Sequence, residues 1–409
     1  MRLLQIWEAF APISMKASNF DSDQSDVQKI LSSTSPPDTK MAFEPPSNVL
    51  VIGGGIVGAS LAWHLAHETN VTVIAEHLGG VATPNSFAWV NAAYDNPKFY
   101  YDFRVRSMKH WAEIAEEIPG GLPLHWGGSV TWSMPPDELE KYEKQHQSWG
   151  YDIVRVNRTE IGEIEPGFEA EYVPEWGLFA GGEGTLEAHV AAQQLLDHAV
   201  EYMGAKVIVN TVEGFVKTND DGSTKVTGVL TKDGKQILGD HVVLAGGLGS
   251  VPLLATENIK LPVNGRQGML INSKPVSSQL LNTVINSDQL HVRQTVDEGR
   301  IRAGADYSGG DPGDNPQGDA DALFEKVQSV LVGGDELEYD YYTIGTRPDP
   351  EDGIPILGAT GLEGLTVAVM HSGVTNAAIV GDLLTKQIMT GVSDPALVDF
   401  QLGRFSKTQ

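Results

Sequence analysis

Three glycines, Gly53, Gly55 and Gly58, stand at G-x-G-x-x-G spacing between a run of branched apolar residues and a segment of helical periodicity. The first glycine of such a loop permits a tight turn, the second lets backbone approach a pyrophosphate, and the third lets helix and strand pack closely. N–H groups at the helix start, from Gly55, Ile56 and Val57, then face the phosphates. Glu76 follows roughly twenty residues on, at the end of the next apolar run, where a carboxylate can accept from both ribose hydroxyls. An acid there suits a free ribose and disfavours a 2′-phosphate. These residues read as a dinucleotide site. They do not choose between a nicotinamide and a flavin, and glycine spacing alone also occurs at ordinary helix contacts.

The elements that would position them are legible. "NVLVI" from Asn48 is a continuous apolar run suited to a buried parallel strand. "IVGASLAWHLAHE" offers Ile56, Ala59, Leu61, Ala62 and Leu65 as an apolar helix face, and "NVTVIA" is the next strand. A second block opens near Gly184. In "TLEAHVAAQQLLDHAVEYMG", apolar residues at Ala188, Ala191, Leu195, Ala199 and Tyr202 predict a helix stopped by Gly204. The strand "AKVIVNT" follows, then a hairpin turning at Asp233-Gly234, then the buried strand "HVVLAGG". A third block runs from Tyr342 through "YTIGTRPDPEDGIPILG" and the strand "LTVAVM" into the helix "HSGVTNAAIVGDLLTKQIMTG", which ends before Gly391.

The expected fold is α/β. A Rossmann-type nucleotide domain spans 47–97, 184–263 and 342–409, and is discontinuous in sequence. An interleaved α+β substrate domain with a mixed or antiparallel sheet spans 98–183 and 264–341. Residues 1–46, rich in Ser, Asp and Pro, read as a disordered extension.

Composition narrows the function. The 409 residues carry 28 Lys+Arg against 54 Asp+Glu, a formal net charge of −26. Such a surface repels phosphate backbones, so nucleic acid and anionic membranes are not expected partners. The absence of cysteine removes disulfides, thiolate metal sites, cysteine nucleophiles and any cofactor bonded through sulfur. No metal site is expected. The longest apolar run, Val49 to Trp63, is too short for a membrane span, and Glu8 interrupts the apolar patch of the N-terminus, unlike a signal peptide. A cytoplasmic protein is expected.

From Asn48 to Phe405 the chain resembles the D-amino-acid oxidase-like family of FAD-dependent oxidoreductases. The resemblance rests on "VIGGGIVGASLAWHLA", "ATPNSFAWVNAAYDNP", "LHWGGSVTWS", "IEPGF", "VVLAGGLGS", "TRPDPEDGIPILG" and "MHSGVTNAAIVGDLL". It departs from the family in three places: Ala75 lengthens the strand before Glu76, Met370 stands where a glycine often precedes His371, and there is no cysteine to tether the cofactor. FAD held without a covalent bond is therefore expected.

The resemblance implies further sites. Thr83, Asn85 and Ser86 would run past the pyrophosphate toward the flavin, against a plain reading of a polar loop before a core segment. Val212 would meet the adenine through its backbone, and Gly246 and Gly247 would turn against the cofactor. Gly373, Val374 and Thr375 would aim a helix N-terminus at the pyrimidine end of the flavin, where partial positive charge stabilises a developing anion. Arg347 would clamp a substrate carboxylate with a planar fork of donors; a surface ion pair with Asp349 or Asp352 is the plainer reading. His371 could touch the ring or the substrate, or be structural. Tyr307, Arg302 and Tyr342 are further candidates for the pocket wall.

The implied activity is oxidation of a C–N bond in an amino acid or N-alkyl amino acid. The α-hydrogen would leave as hydride to flavin, giving an imine. The substrate would be a small, carboxylate-bearing amine, and oxygen or another acceptor would take the electrons. The alternatives are a flavin reaction on a specialised metabolite or hydroxyl group, or a flavin-bound assembly protein without turnover.

Overall fold

The computed structural model describes residues 43–92, 96–220, 222–305 and 312–407. A six-stranded sheet holds, in spatial order, Ile356–Ala359, Leu365–Val369, His241–Leu244, Asn48–Gly54, Asn70–Leu78 and Lys206–Val209. All neighbours are parallel except the first pair. The continuous apolar run of the first strand has a physical reason. Val49 and Val51 pack against helices Ile56–Ala66, Ala188–Met203 and Gly373–Thr390. Leu50 and Ile52, pointing the other way, pack in a second core with Val212, Val226 and Val229 of a three-stranded antiparallel sheet. A strand covered on both faces has no polar positions to spare.

The hairpin expected at Asp233-Gly234 joins Ser223–Thr231 to Gln236–Leu238, with Gly234 at φ 79°. Gly204 and Gly391, left-handed at φ 75° and 71°, end their helices. Helix Ala188–Met203 departs from the reading in one particular: Tyr202 is 61% exposed, and Ala192 and Leu196 fill the buried stripe instead.

An eight-stranded mixed sheet forms the other half. Its order is Tyr339–Pro350, Val263–Ser273, Ile301–Gly304, His291–Gln294, Val284–Asn286, Ser129–Thr131, Trp176–Ala180 and Ile153–Asn157. Met269, Ile271, Val292, Ile301 and Ala303 bury one face against helix Pro316–Val330. By the two-residue alternation of strands, Gly268, Leu270, His291 and Gly345 face the opposite way, into a cavity.

Two junctions lie elsewhere than the sequence suggested. Strand Tyr339–Pro350 pairs along its length with Val263–Ser273, so the "TRPD" stretch belongs to the eight-stranded sheet and the chain crosses back only after Pro350. Helix Lys98–Glu117 gives Tyr100, Phe103, Trp111 and Ile114 to the core beneath the six-stranded sheet. Of the N-terminal extension, residues 1–42 lie outside the described residues. Phe43 packs its ring at Gly391, and Pro46 accepts a hydrogen bond from Thr69 at 2.8 Å, so this last part of the segment is engaged with the fold.

Candidate functional site

A cavity of about 740 Å³ runs from the glycine loop to the face of the eight-stranded sheet. Every cofactor-binding or catalytic residue expected from the sequence lines it, except Gly58. Gly58 lies behind the wall, where a Cβ would come within 2.0 Å of the Gly53 carbonyl oxygen. Gly53 itself has φ 113°, and a Cβ there would meet the Ala245 carbonyl oxygen at 2.4 Å. The loop therefore tolerates no side chain at either position. A bare backbone crossing the end of a parallel sheet is what a pyrophosphate requires.

Thr83 has a sharper position than a loop polar residue. Its Oγ1 accepts from the Ile56 N–H at 3.1 Å, satisfying one of the orphan donors at the helix start. Asn85 packs on Gly345, where a Cβ would approach the Asn85 Cβ to 2.8 Å, and its side chain donates to the Val81 carbonyl at 2.9 Å. Ser86 accepts from the Ala88 N–H at 3.0 Å. Ala88 is left-handed at φ 60°, as is Ser372 at φ 56°. Both line the cavity, and non-glycine residues in this region cost of order 1–3 kcal/mol unless surrounding structure holds them.

Glu76 lies on the cavity wall and is exposed to solvent; its strand runs two residues past it, to Leu78. Val212 opens the strand Val212–Asp220, and Gly246 and Gly247 form the turn after His241–Leu244. At the far end, Gly373, Val374 and Thr375 begin the last long helix. Trp111 Nε1 donates to the Val374 carbonyl at 2.9 Å, and Ser107 Oγ donates to that of Thr375 at 2.6 Å, fixing the first turn. The Thr375 hydroxyl donates to the Trp89 carbonyl at 3.2 Å.

Arg347 is half-buried on the cavity wall and donates to the Gln267 carbonyl at 3.2 Å. Asp352 is paired with Arg404, which donates to both oxygens of that carboxylate at 2.7 and 2.9 Å. Asp349 approaches Arg266 instead, at 3.9 Å. His371 is partly buried beside Ser372 Oγ. Burial first, then Arg347, Arg104 and Arg266, bring its pKa down to about 4, so the imidazole is neutral at pH 7.

Of the other pocket-wall candidates, Tyr307 lies outside the described residues. Tyr342 packs with the hydrophobic core on the far face of its sheet. Arg302 stands behind the wall. Its Nε donates to Asn272 Oδ1 at 2.8 Å, and with Arg293 it flanks Glu187. Burial alone would raise Glu187; the two guanidiniums bring it down to about 2. Arg293 Nε also donates to the Phe87 carbonyl at 2.6 Å, so this ion cluster braces the loop carrying Asn85 and Ser86.

The sequence reading missed Arg104, Arg266 and His291. Arg104 is buried and donates to the backbone and side-chain oxygens of Asn91 at 2.9 and 2.7 Å. Arg266 shares its face with Gly268 and Leu270, but only the pairing of the strands shows that this face is the cavity's; no local signal marks the other two.

The family profile described as "FAD dependent oxidoreductase" (DAO) matches residues 48–387. The chain belongs to this family. Among its relatives, the bifunctional protein ThiO/ThiG of Trichormus variabilis is 26% identical over 385 residues. That alignment takes in 88% of this chain but only 55% of the relative, so the chain spans about half of that relative's length. An opine oxidase subunit of Rhizobium meliloti is 24% identical, with 88% of this chain and 98% of the relative covered. The crystal structure of glycine oxidase from Geobacillus kaustophilus superposes with a TM-score of 0.75 at 20% identity, covering 88% of this chain and 99% of that one. The DAO fold, a Rossmann-type FAD half joined to a half with its own sheet, is the one observed here. FAD is the family's cofactor, and the bare glycine cradle with Glu76 at its edge fits the pyrophosphate and ribose of that molecule.

Proposed function

We propose that this DAO-family protein oxidises the C–N bond of an amino acid or N-alkyl amino acid to an imine, which water hydrolyses. One observation carries the reading: a single cavity joins the dinucleotide cradle to a guanidinium, Arg347, on the sheet face opposite. The names of two relatives, an opine oxidase subunit and a glycine oxidase, support an amine substrate.

In this reading the six-stranded half holds FAD and the eight-stranded half presents the substrate. Gly53, Gly55 and the N–H groups of Ile56 and Val57 would hold the pyrophosphate, Glu76 the ribose, and Val212 the adenine. Thr83, Asn85, Ser86, Gly246 and Gly247 would line the path toward the ring, and Gly373 to Thr375 would meet its pyrimidine end. Bound there, FAD supplies a two-electron acceptor for the C–N bond. Arg347 binds the substrate carboxylate as a fork, which fixes the direction of the α-hydrogen. His371 is too weak a base to hold the amine's proton. Cations at this end of the cavity, which lower His371, would also disfavour a bound ammonium relative to the free amine that oxidation needs.

Among the described residues no helix is long and apolar enough to cross a membrane. A cytoplasmic location goes with this reading, and cell fractionation checks it. The function is tested by purifying the protein, releasing its cofactor with acid, and screening amines for anaerobic bleaching of the flavin. FAD in the supernatant and bleaching by an amino acid are the expected results. Bleaching by hydroxy acids alone overturns the amine reading, and flavin left on the precipitated protein overturns non-covalent attachment.

A further inference from the structure

Arg266 and Arg347 are directly opposed across two antiparallel strands. The next pair on the same face, Gly268 and Gly345, lines the cavity, so Arg266 projects from that face at its rim. Two planar forks of donors are thereby set side by side on one face, each matched to a carboxylate. The side chain of Arg266 is 62% exposed, and its ion pair with Asp349 is long, at 3.9 Å. At Gly345 the absent side chain lets the Asn85 loop close down beside the two arginines. Of the charged groups acting on His371, Arg347, Arg104 and Arg266 are all cations. The only acids among the described lining residues, Glu76 and Glu213, lie at the nucleotide end of the cavity.

We propose that the substrate carries two carboxylates: Arg347 takes the one on the carbon to be oxidised, and Arg266 takes the second. The class is an amine bearing two acidic groups, such as an N-carboxyalkyl amino acid. This rests on the amine-oxidation reading and adds to it a specificity-determining residue. Arg266 positions no reacting atom. It leaves Asp349 for the ligand's second carboxylate.

The test is a binding measurement on the FAD-loaded protein with analogues that have no amine to oxidise. Thiodiacetate is the dicarboxylate probe and methylthioacetate the monocarboxylate, with the change in flavin absorbance as readout. The wild type is expected to bind thiodiacetate at least about tenfold more tightly, the scale of one charge-assisted hydrogen-bonded pair. Arg266→Gln should remove that preference while leaving methylthioacetate within about twofold, and Arg266→Lys should restore part of it. Equal affinities in the wild type, or a preference that survives Arg266→Gln, overturn the proposal and leave Arg266 as the partner of Asp349. The parent reading is judged apart, by whether iminodiacetate, sarcosine or another amine bleaches the flavin. Failure there with the Arg266-dependent preference intact would discard the reaction and keep the ligand class.

Discussion

Gly53 and Gly58 show how single residues set the cofactor end of the site. Gly53 combines φ 113° with a carbonyl 2.4 Å from where a Cβ would stand, and at Gly58 the corresponding distance is 2.0 Å. Gly53→Ala is expected to yield protein with little bound FAD and a thermal midpoint lower by several degrees, since the backbone must shift to admit one methyl. An absorbance ratio and a melting curve check both. These glycines were legible because a spacing rule has one physical cause. Arg266 was not, because an arginine in a strand says nothing of its face until the register is known.

At the scale of elements, the start of the last long helix is held from outside itself. Trp111 and Ser107, on helix Lys98–Glu117, donate to the carbonyls of Val374 and Thr375. Trp111→Phe keeps most of the packing and removes the donor. It should cost about 1–2 kcal/mol in urea unfolding and weaken FAD binding, because Gly373 to Thr375 then lose their fixed aim. Unchanged stability and affinity would show that the helix needs no such tie. Glu187→Gln is expected to be more damaging, about 3–5 kcal/mol, since it leaves Arg293 and Arg302 buried without a counter-charge. The helix itself was legible from its periodicity and Gly391. Its anchors were not, because Trp111 is separated from Val374 by 263 residues and carries no local mark of a long-range contact. Likewise the "TRPD" stretch looked like the opening of the third nucleotide block, yet its pairing with Val263–Ser273 decides otherwise.

For the whole molecule, buried groups with displaced titration set acid stability. Burial, with nearby groups, lowers His64 to about 3 and His241 and His371 to about 4. Each binds its proton more readily unfolded, near 6.5, so its contribution is present above that pH and is lost as pH falls toward 4. Glu183 acts in the opposite sense. Burial raises it to about 7, despite hydrogen bonds from Ser129, Tyr151 and Trp89, so its contribution is full below 4.5 and lost as pH rises to 7. Three histidines outweigh Glu183 between pH 6.5 and 4.5, so the thermal midpoint falls on acidification through that range, and below 4.5 the loss of the Glu187 carboxylate's contribution continues the fall. His241→Gln should make that fall shallower; a pH-independent midpoint between 4 and 6.5 would contradict the assignment. None of these burials could be read from sequence, where a histidine in an apolar stretch looks the same whether half or wholly enclosed.

The proposed function requires one cavity to bring a flavin cradle and a carboxylate clamp together on an amine. Anaerobic titration of the FAD-loaded protein with an amino acid and its methyl ester, in the wild type and in Arg347→Ala, tests it most directly. The amino acid should bleach the wild-type flavin at far lower concentration than the ester. The variant, with the same FAD content, should need at least about tenfold more amino acid, the loss expected when one member of a charge-assisted pair is removed. Equal bleaching by acid and ester, or a titration unchanged by Arg347→Ala, would contradict the account.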